Sequence, residues 1–371
     1  MKYYLIAGER SGDLHASHVM HELKKLDHEA QFRFFGGDYM SAEGGEPVLH
    51  YREMAFMGFL EVVLNIDKVW NNIKLCQKDI LEYSPDGVIL VDYSGFNLRI
   101  AKFLRKKAPH LKILYYISPK IWAWNTGRAN KIKKLVDDMY CILPFEKAFY
   151  KKFDFEVNYV GNPSLDEVKS FTPSSDFREK NGLSNKPIIA ILPGSRKAEV
   201  EYMLHFMVSI LPGFRDYQFV VAGVTNLDAK YYENFRREGV VSIVFDQTYD
   251  LLSHSEAAVV TSGTATLETA LFEVPQVVCY ATSFVTYAII RALIKVNYIS
   301  LPNLIAGREI VKELIQDEFS PPNLMEELKR ITQNIEERNK IIEDYKKMKA
   351  LLGDEKASEN TAKLIYKKLK Q

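Results

Sequence analysis

Short apolar runs alternate with helical patterns from the first residues of the chain. Tyr3–Ala7, Phe32–Phe35, Gly87–Val91, Ile113–Ile117 and Met139–Leu143 are short and rich in β-branched or aromatic residues, so they read as strands, and Val157–Val160 adds another. Uniformly apolar strands separated by helices predict a parallel sheet covered on both faces, because a strand buried on two sides has no polar face to alternate with. Polarity rises from Ser164 to Lys186. The pattern then restarts with Ile188–Leu192, Gln218–Ala222, Ser242–Phe245, Ala257–Val260 and Gln276–Tyr280, and from Pro321 onward the chain is charged and helical. The expected architecture is α/β: two doubly wound, Rossmann-like domains over residues 1–164 and 165–345 facing a cleft, with a helical tail over 346–371.

Composition narrows this picture. At 371 residues the chain exceeds the size at which one core stops growing, which fits two domains. A hydrophobic share of 47% and a charged share of 26% are those of a soluble globular protein. A net charge of +1 supplies no field for nucleic acid. Cys76, Cys141 and Cys279 are odd in number and scattered, which predicts reduced thiols in the cytosol and neither a disulfide framework nor a zinc site. Lys2–Ala7 is too short for the apolar region of a signal peptide. No run approaches the ~20 apolar residues of a membrane span; Phe284–Ile305 is interrupted by Arg291, Lys295 and Asn297.

The candidate chemistry sits where strands end, the edge at which open α/β sheets build ligand sites. The first strand runs into Gly8-Glu9-Arg10-Ser11-Gly12-Asp13, which lacks a dinucleotide fingerprint. Carboxylates at a helix N-terminus repel a pyrophosphate and suit sugar hydroxyls, or else Asp13 simply caps the helix. Asp92 ends the strand Gly87–Val91, with Phe96 and Asn97 beyond it. It can take a proton from a substrate hydroxyl, or bond its own turn. Glu146 competes for the same role or caps the helix it opens. Ile113–Ile117 stops at Ser118-Pro119, because proline has no N–H for the ladder, and Trp122 and Trp124 follow as a rim.

In the second half, Pro193-Gly194-Ser195-Arg196-Lys197 combines a Gly-Ser turn, two cations and a helix start, which favours an anion. Thr261-Ser262-Gly263-Thr264 repeats the geometry, with Glu268 one turn further on the same face, as for a phosphate beside a ribose. His15, His18 and His21 read as a solvated or partly packed helix face rather than as metal ligands. No Asp-x-Asp pair occurs, so nothing points to a diphosphate held through Mg²⁺. In Ala55–Leu75, Phe59, Val62, Val63, Ile66, Val69, Trp70 and Ile73 form an apolar stripe that packs in the core or meets lipid, with Lys68 and Lys74 beside it. Arg128, Lys131, Lys133 and Lys134 form a cationic helix, which is a solvated face or meets an anionic acceptor.

Eight segments in order carry a family resemblance: AGERSGD at Ala7–Asp13, MGFLEV at Met57–Val62, VDYSGFN at Val91–Asn97, YYISPKIWAW at Tyr115–Trp124, ILPFEKAFY at Ile142–Tyr150, LPGSR at Leu192–Arg196, SGTATLE at Ser262–Glu268 and SLPNLIAGRE at Ser300–Glu309. With them the chain resembles the lipid-A-disaccharide synthases, inverting glycosyltransferases of the GT-B fold. The resemblance implies transfer of a sugar from UDP-2,3-diacylglucosamine to the 6-hydroxyl of 2,3-diacylglucosamine 1-phosphate, giving a β-1,6 disaccharide and UDP. It implies Asp92 as the base and Arg196 at the donor. Glu9, Ser11, Asn97, Pro119, Trp122, Glu146, Ser195, Ser262, Gly263, Thr264, Glu268 and Asn303 are the further substrate-binding candidates. It implies no metal and no cofactor, peripheral attachment to the cytoplasmic face of the inner membrane, and terminal helices that cross back onto the first domain. A homodimer is left open. Two positions depart from the family: Gly95 stands where members often carry a second Asp, and Gly161-Asn162-Pro163 replaces a Gly-His-Pro turn. Another GT-B enzyme, such as a UDP-N-acetylglucosamine 2-epimerase, and a non-catalytic UDP-sugar-binding relic are the alternatives.

Overall fold

The computed structural model describes residues 1–54, 66–225, 227–237 and 240–371. The MGFLEV segment and Phe59, Val62 and Val63 of the apolar stripe lie outside the described residues. The chain divides into two compact units, Met1–Pro163 together with Asp354–Gln371, and Ser164–Gly353. The boundary expected at 345 falls inside an unbroken helix, Ile335–Leu352, which ends only where Gly353 takes a positive φ of 71°. The helix before Gly353 thus belongs to the second unit and the one after it to the first.

In the first unit, β1 (Lys2–Ala7), β2 (Gln31–Gly36), β3 (Glu46–His50), β4 (Gly87–Val91), β5 (Lys112–Tyr116), β6 (Asp138–Cys141) and β7 (Asn158–Tyr159) form a sheet in the order β3-β2-β1-β4-β5-β6-β7. All of its pairings are parallel. Successive side chains point to opposite faces, so each strand feeds two cores. Tyr4, Ile6, Val88, Leu90, Ile113 and Tyr115 enter one. Tyr3, Leu5, Val91, Leu114 and Tyr116 enter the other, where Ala362 and Ile365 of the last helix, Ala357–Leu369, close the layer. Gly87 lets that helix come close, since a Cβ there would lie 2.6 Å from Leu369.

The second unit holds β8 (Ile188–Leu192), β9 (Gln218–Gly223), β10 (Val241–Phe245), β11 (Ser255–Thr261), β12 (Gln276–Tyr280) and β13 (Lys312–Ile315), again parallel, in the order β10-β9-β8-β11-β12-β13. β3 and β13 escaped the hydrophobic pattern. Both are edge strands, half open to water, and neither carries a continuous apolar run. The strand orders have a direct consequence for function. The direction in which successive strands are added reverses between β1 and β4 in one sheet and between β8 and β11 in the other, and at such switch points the loops part to leave a crevice at the carboxyl ends. Four of the loops singled out as chemistry-bearing, after Ala7, Val91, Leu192 and Thr261, follow these four strands. No described helix is long and apolar enough to cross a membrane.

Candidate active site

Asp92 follows β4 directly and, with Tyr93, has a positive φ (45° and 40°). For residues with a Cβ this region costs roughly 1–2 kcal/mol each, so the turn persists only because its surroundings over-determine it. The Asp92 N–H donates to the Tyr116 carbonyl at 3.0 Å. The Asp92 carbonyl accepts from the Asn97 amide at 2.9 Å and from the Tyr115 hydroxyl. Tyr93 is tied in turn, its hydroxyl donating to the Met54 carbonyl at 2.9 Å. The Asp92 carboxyl is only partly exposed. Burial raises its pKa, with Lys120 opposing the shift. A carboxylate held this way has a heightened affinity for a proton, as a general base needs.

The first loop reaches the same place. A Cβ on Gly8 would lie 2.2 Å from the Tyr93 ring, so only glycine lets the β1 loop close on the Asp92 turn. Glu9 sits at the N-cap of the helix Arg10–Leu26 without a side-chain cap bond, and Ser11 is exposed beside it. Asp13 caps a different helix: fully buried, it accepts from the N–H groups of Gly37, Tyr39 and Met40 at 2.7, 3.0 and 3.2 Å, fixing the start of Asp38–Ala42. His15 is half-buried, and desolvation of its imidazole pushes the pKa down to about 4. Among the described residues no group of three or more His, Cys, Asp or Glu could hold a metal ion.

Five residues expected at substrate are built into their surroundings instead. Asn97 is fully buried and gives its amide to the carbonyls of Val91 (3.2 Å) and Asp92, so it braces the turn. Glu146 is 1% exposed. It accepts from the Ser118 hydroxyl, from the Trp122 indole at 3.0 Å and from the Leu143 N–H at 3.0 Å. Burial still pushes its carboxyl up to about 6. It therefore fastens the loop after β5 to the end of β6 and is unavailable as a base. Trp122 is buried under that lock with Phe145 edge-on at 4.9 Å, Pro119 is buried beside it, and Trp124, 43% exposed, is the open ring of the pair. Asn303 is fully buried, donating to the Val311 carbonyl and Glu313 and accepting from the N–H groups of Ile310 and Val311. All its hydrogen-bonding capacity is used within the unit. Of the departing positions, Asn162 is buried and donates to the Ile142 carbonyl at 3.0 Å, and Gly95 is exposed with open space around it.

In the second unit, Gly194 has a φ of 108°, and a Cβ there would lie 2.7 Å from Glu199, so this glycine lets the loop fold onto the helix Lys197–Val208. Ser195 and Arg196 are exposed at its start. Arg196 is 61% exposed and pairs with Glu199 at 3.2 Å, a contact weak enough in water to yield to a better anion. Tyr280, at the end of β12, feels both Glu199 and Arg196. It went unnoticed in the sequence because it closes an ordinary apolar strand. Gly263 and Thr264 are exposed at the start of the helix Thr264–Leu271, Gly263 in extended conformation with open space beside it. Ser262 turns its hydroxyl to the Ile299 carbonyl at 3.2 Å. Glu268 is half-buried and its carboxyl is raised by burial. Tyr249 and Glu167 join it, and no spacing in the sequence announces either.

A family model described as lipid-A-disaccharide synthetase matches residues 3–368. A lipid-A-disaccharide synthase of Myxococcus xanthus (strain DK1622) is 38% identical over 375 residues, covering 98% of this chain and 97% of the relative. Among solved structures, MnaA of S. aureus with UDP has a TM-score of 0.68 at 12% identity, covering 100% of this chain and 96% of that one. CalG4, the calicheamicin glycosyltransferase, has a TM-score of 0.60 at 15% identity, covering 99% and 98%. At such identities the two structures establish the fold alone, which is GT-B.

Proposed function

The chain belongs to the lipid-A-disaccharide synthase family, and from that premise we propose that it condenses UDP-2,3-diacylglucosamine with 2,3-diacylglucosamine 1-phosphate, using Asp92 as the base. The enzyme is a glycosyltransferase that takes a UDP-sugar donor and a sugar-phosphate acceptor. The observation that supports this assignment of roles is the Asp92 turn, a strained and braced carboxyl with a raised pKa at the switch point of its sheet. Asp92 removes the proton of the acceptor 6-hydroxyl as that oxygen attacks the anomeric carbon from the face opposite the diphosphate. The anomeric C–O bond breaks and UDP leaves with its electron pair, so the product linkage is inverted to β-1,6. Charge that develops on the leaving diphosphate falls to Arg196 and to the N–H groups at Gly263 and Thr264, with Glu268 taking ribose hydroxyls. A guanidinium and a helix N-terminus supply this stabilisation without a divalent ion.

Both substrates carry acyl chains, so the enzyme works at the inner leaflet while remaining peripheral, and the exposed Trp70 belongs to the surface we assign to that contact. Incubation with the two acylated glucosamines tests the reading. Disaccharide 1-phosphate and UDP are expected, with EDTA without effect and Asp92→Asn nearly inactive. Absence of disaccharide, with epimerisation of UDP-N-acetylglucosamine in its place, would overturn it.

A further inference from the structure

Two carboxylates of the second unit share one phenol. The Tyr249 hydroxyl lies 3.2 Å from Glu167 Oε2 and 3.1 Å from Glu268 Oε1. Its ring is held edge-on by Phe171 at 5.4 Å and Phe272 at 5.1 Å, so the hydroxyl stays between the two acids. A phenol has one proton to give. Both contacts are hydrogen bonds only if one carboxyl is protonated and donates to the phenol oxygen while the phenol donates to the other. The surroundings favour that arrangement. Burial and repulsion from Glu268 and Asp166 push Glu167 up to about 7, and burial raises Glu268 as well. The groups acting on the pair are Asp166 on the helix of Glu167 and Tyr249 between the acids.

We propose that Glu167 and Tyr249 are positioning residues that hold Glu268 towards the donor ribose through one shared proton, and that donor affinity falls when this proton leaves. The inference rests on the assignment of Glu268 to the ribose. Below neutrality Glu167 donates to Tyr249, Tyr249 donates to Glu268, and the second oxygen of Glu268 remains for the ligand. As pH rises, Glu167 releases its proton to solvent, one hydrogen bond is lost, and two like charges face each other across the ring hydroxyl. The ground-state contact weakens, so the KM for donor rises while kcat changes little.

Calorimetric titration of the full-length protein with UDP, between about pH 6 and about pH 9, reads this out. Wild type is expected to lose about tenfold in UDP affinity across the range, the usual worth of one hydrogen bond to a charged group. Glu167→Gln donates to Tyr249 at every pH and should abolish the step while keeping the affinity. Tyr249→Phe should bind weakly and without a step, and it carries the comparison if Glu167→Gln melts early. A step that persists in either variant overturns the inference. Glu268→Ala separates the two readings: UDP affinity equal to wild type would overturn the ribose assignment and the inference with it. A loss there beside an unchanged step in Glu167→Gln overturns the inference alone.

Discussion

The side-chain amide of Asn97 donates to the carbonyl oxygen of Asp92 at 2.9 Å, bracing from within its own helix the turn that carries the proposed base. Reactivity and shape at this turn are therefore separable. Asp92→Asn is expected to lose about 10²–10⁴ in kcat with UDP affinity intact. Asn97→Ala removes the amide donor to the Val91 and Asp92 carbonyls, the latter keeping the Tyr115 hydroxyl, at about 1–3 kcal/mol, and should lower both melting temperature and kcat. Steady-state kinetics beside thermal melts check the pair. A fully active Asp92→Asn enzyme would place the base elsewhere.

Glu146 gives a signed pH dependence. Its carboxyl rises from 4.5 to about 6 on folding, which corresponds to about 2 kcal/mol favouring the protonated form in the folded state. The folded protein therefore binds this proton more tightly than the unfolded chain does. The associated stability is fully present below about pH 4.5 and is lost as pH rises through about 6. Glu146→Gln should show a smaller fall in urea midpoint across that window. Glu167 slopes the same way in both proteins and cancels in the comparison.

Arg196 is expected to act through its fork as well as its charge. Arg196→Lys keeps the cation but not the bidentate geometry, and should cost about tenfold or more in kcat/KM for donor. Inorganic Mg²⁺ or Mn²⁺ should not restore the loss. Rescue by either ion would transfer the stabilising role to a metal.

Much of this was legible from residue pattern, and the rest was hidden for definite reasons. β4 and β8 announced themselves because they are buried on both faces and apolar throughout. β3 and β13 did not, since an edge strand needs only half its residues apolar. Asp92 and Arg196 were visible as residue types placed after strands. The buried roles of Asn97, Glu146 and Asn303 were not, because a sequence shows a polar side chain but not whether its lone pairs point to solvent or to backbone. The Glu167–Tyr249 contact joins residues 82 positions apart, and only packing reveals it.

The helix Ile66–Tyr83 splits the apolar stripe into two testable halves. Ile73 is 2% exposed in the core, and Val69 packs against it. Trp70 is 48% exposed, with the Arg99 guanidinium 5.3 Å over its ring. Ile73→Ala should cost about 2–5 kcal/mol. Trp70→Ser should change stability by about 0.5 kcal/mol or less while reducing sedimentation with anionic vesicles. Vesicle binding equal to wild type would place the membrane contact on another surface.

The last helix, Ala357–Leu369, completes a core whose other members come from the first half of the chain. On the ribosome, the strands carrying Tyr3, Leu5 and Val91 emerge early, yet the helix that covers them is made only after the whole of Ser164–Gly353. The unit that holds Asp92 cannot reach its finished state until Ala357–Leu369 has been made, whereas Ser164–Gly353 is contiguous and has no such wait. A chain stopped before Ala357 would thus yield a complete second unit and a first unit whose sheet stands open along one face.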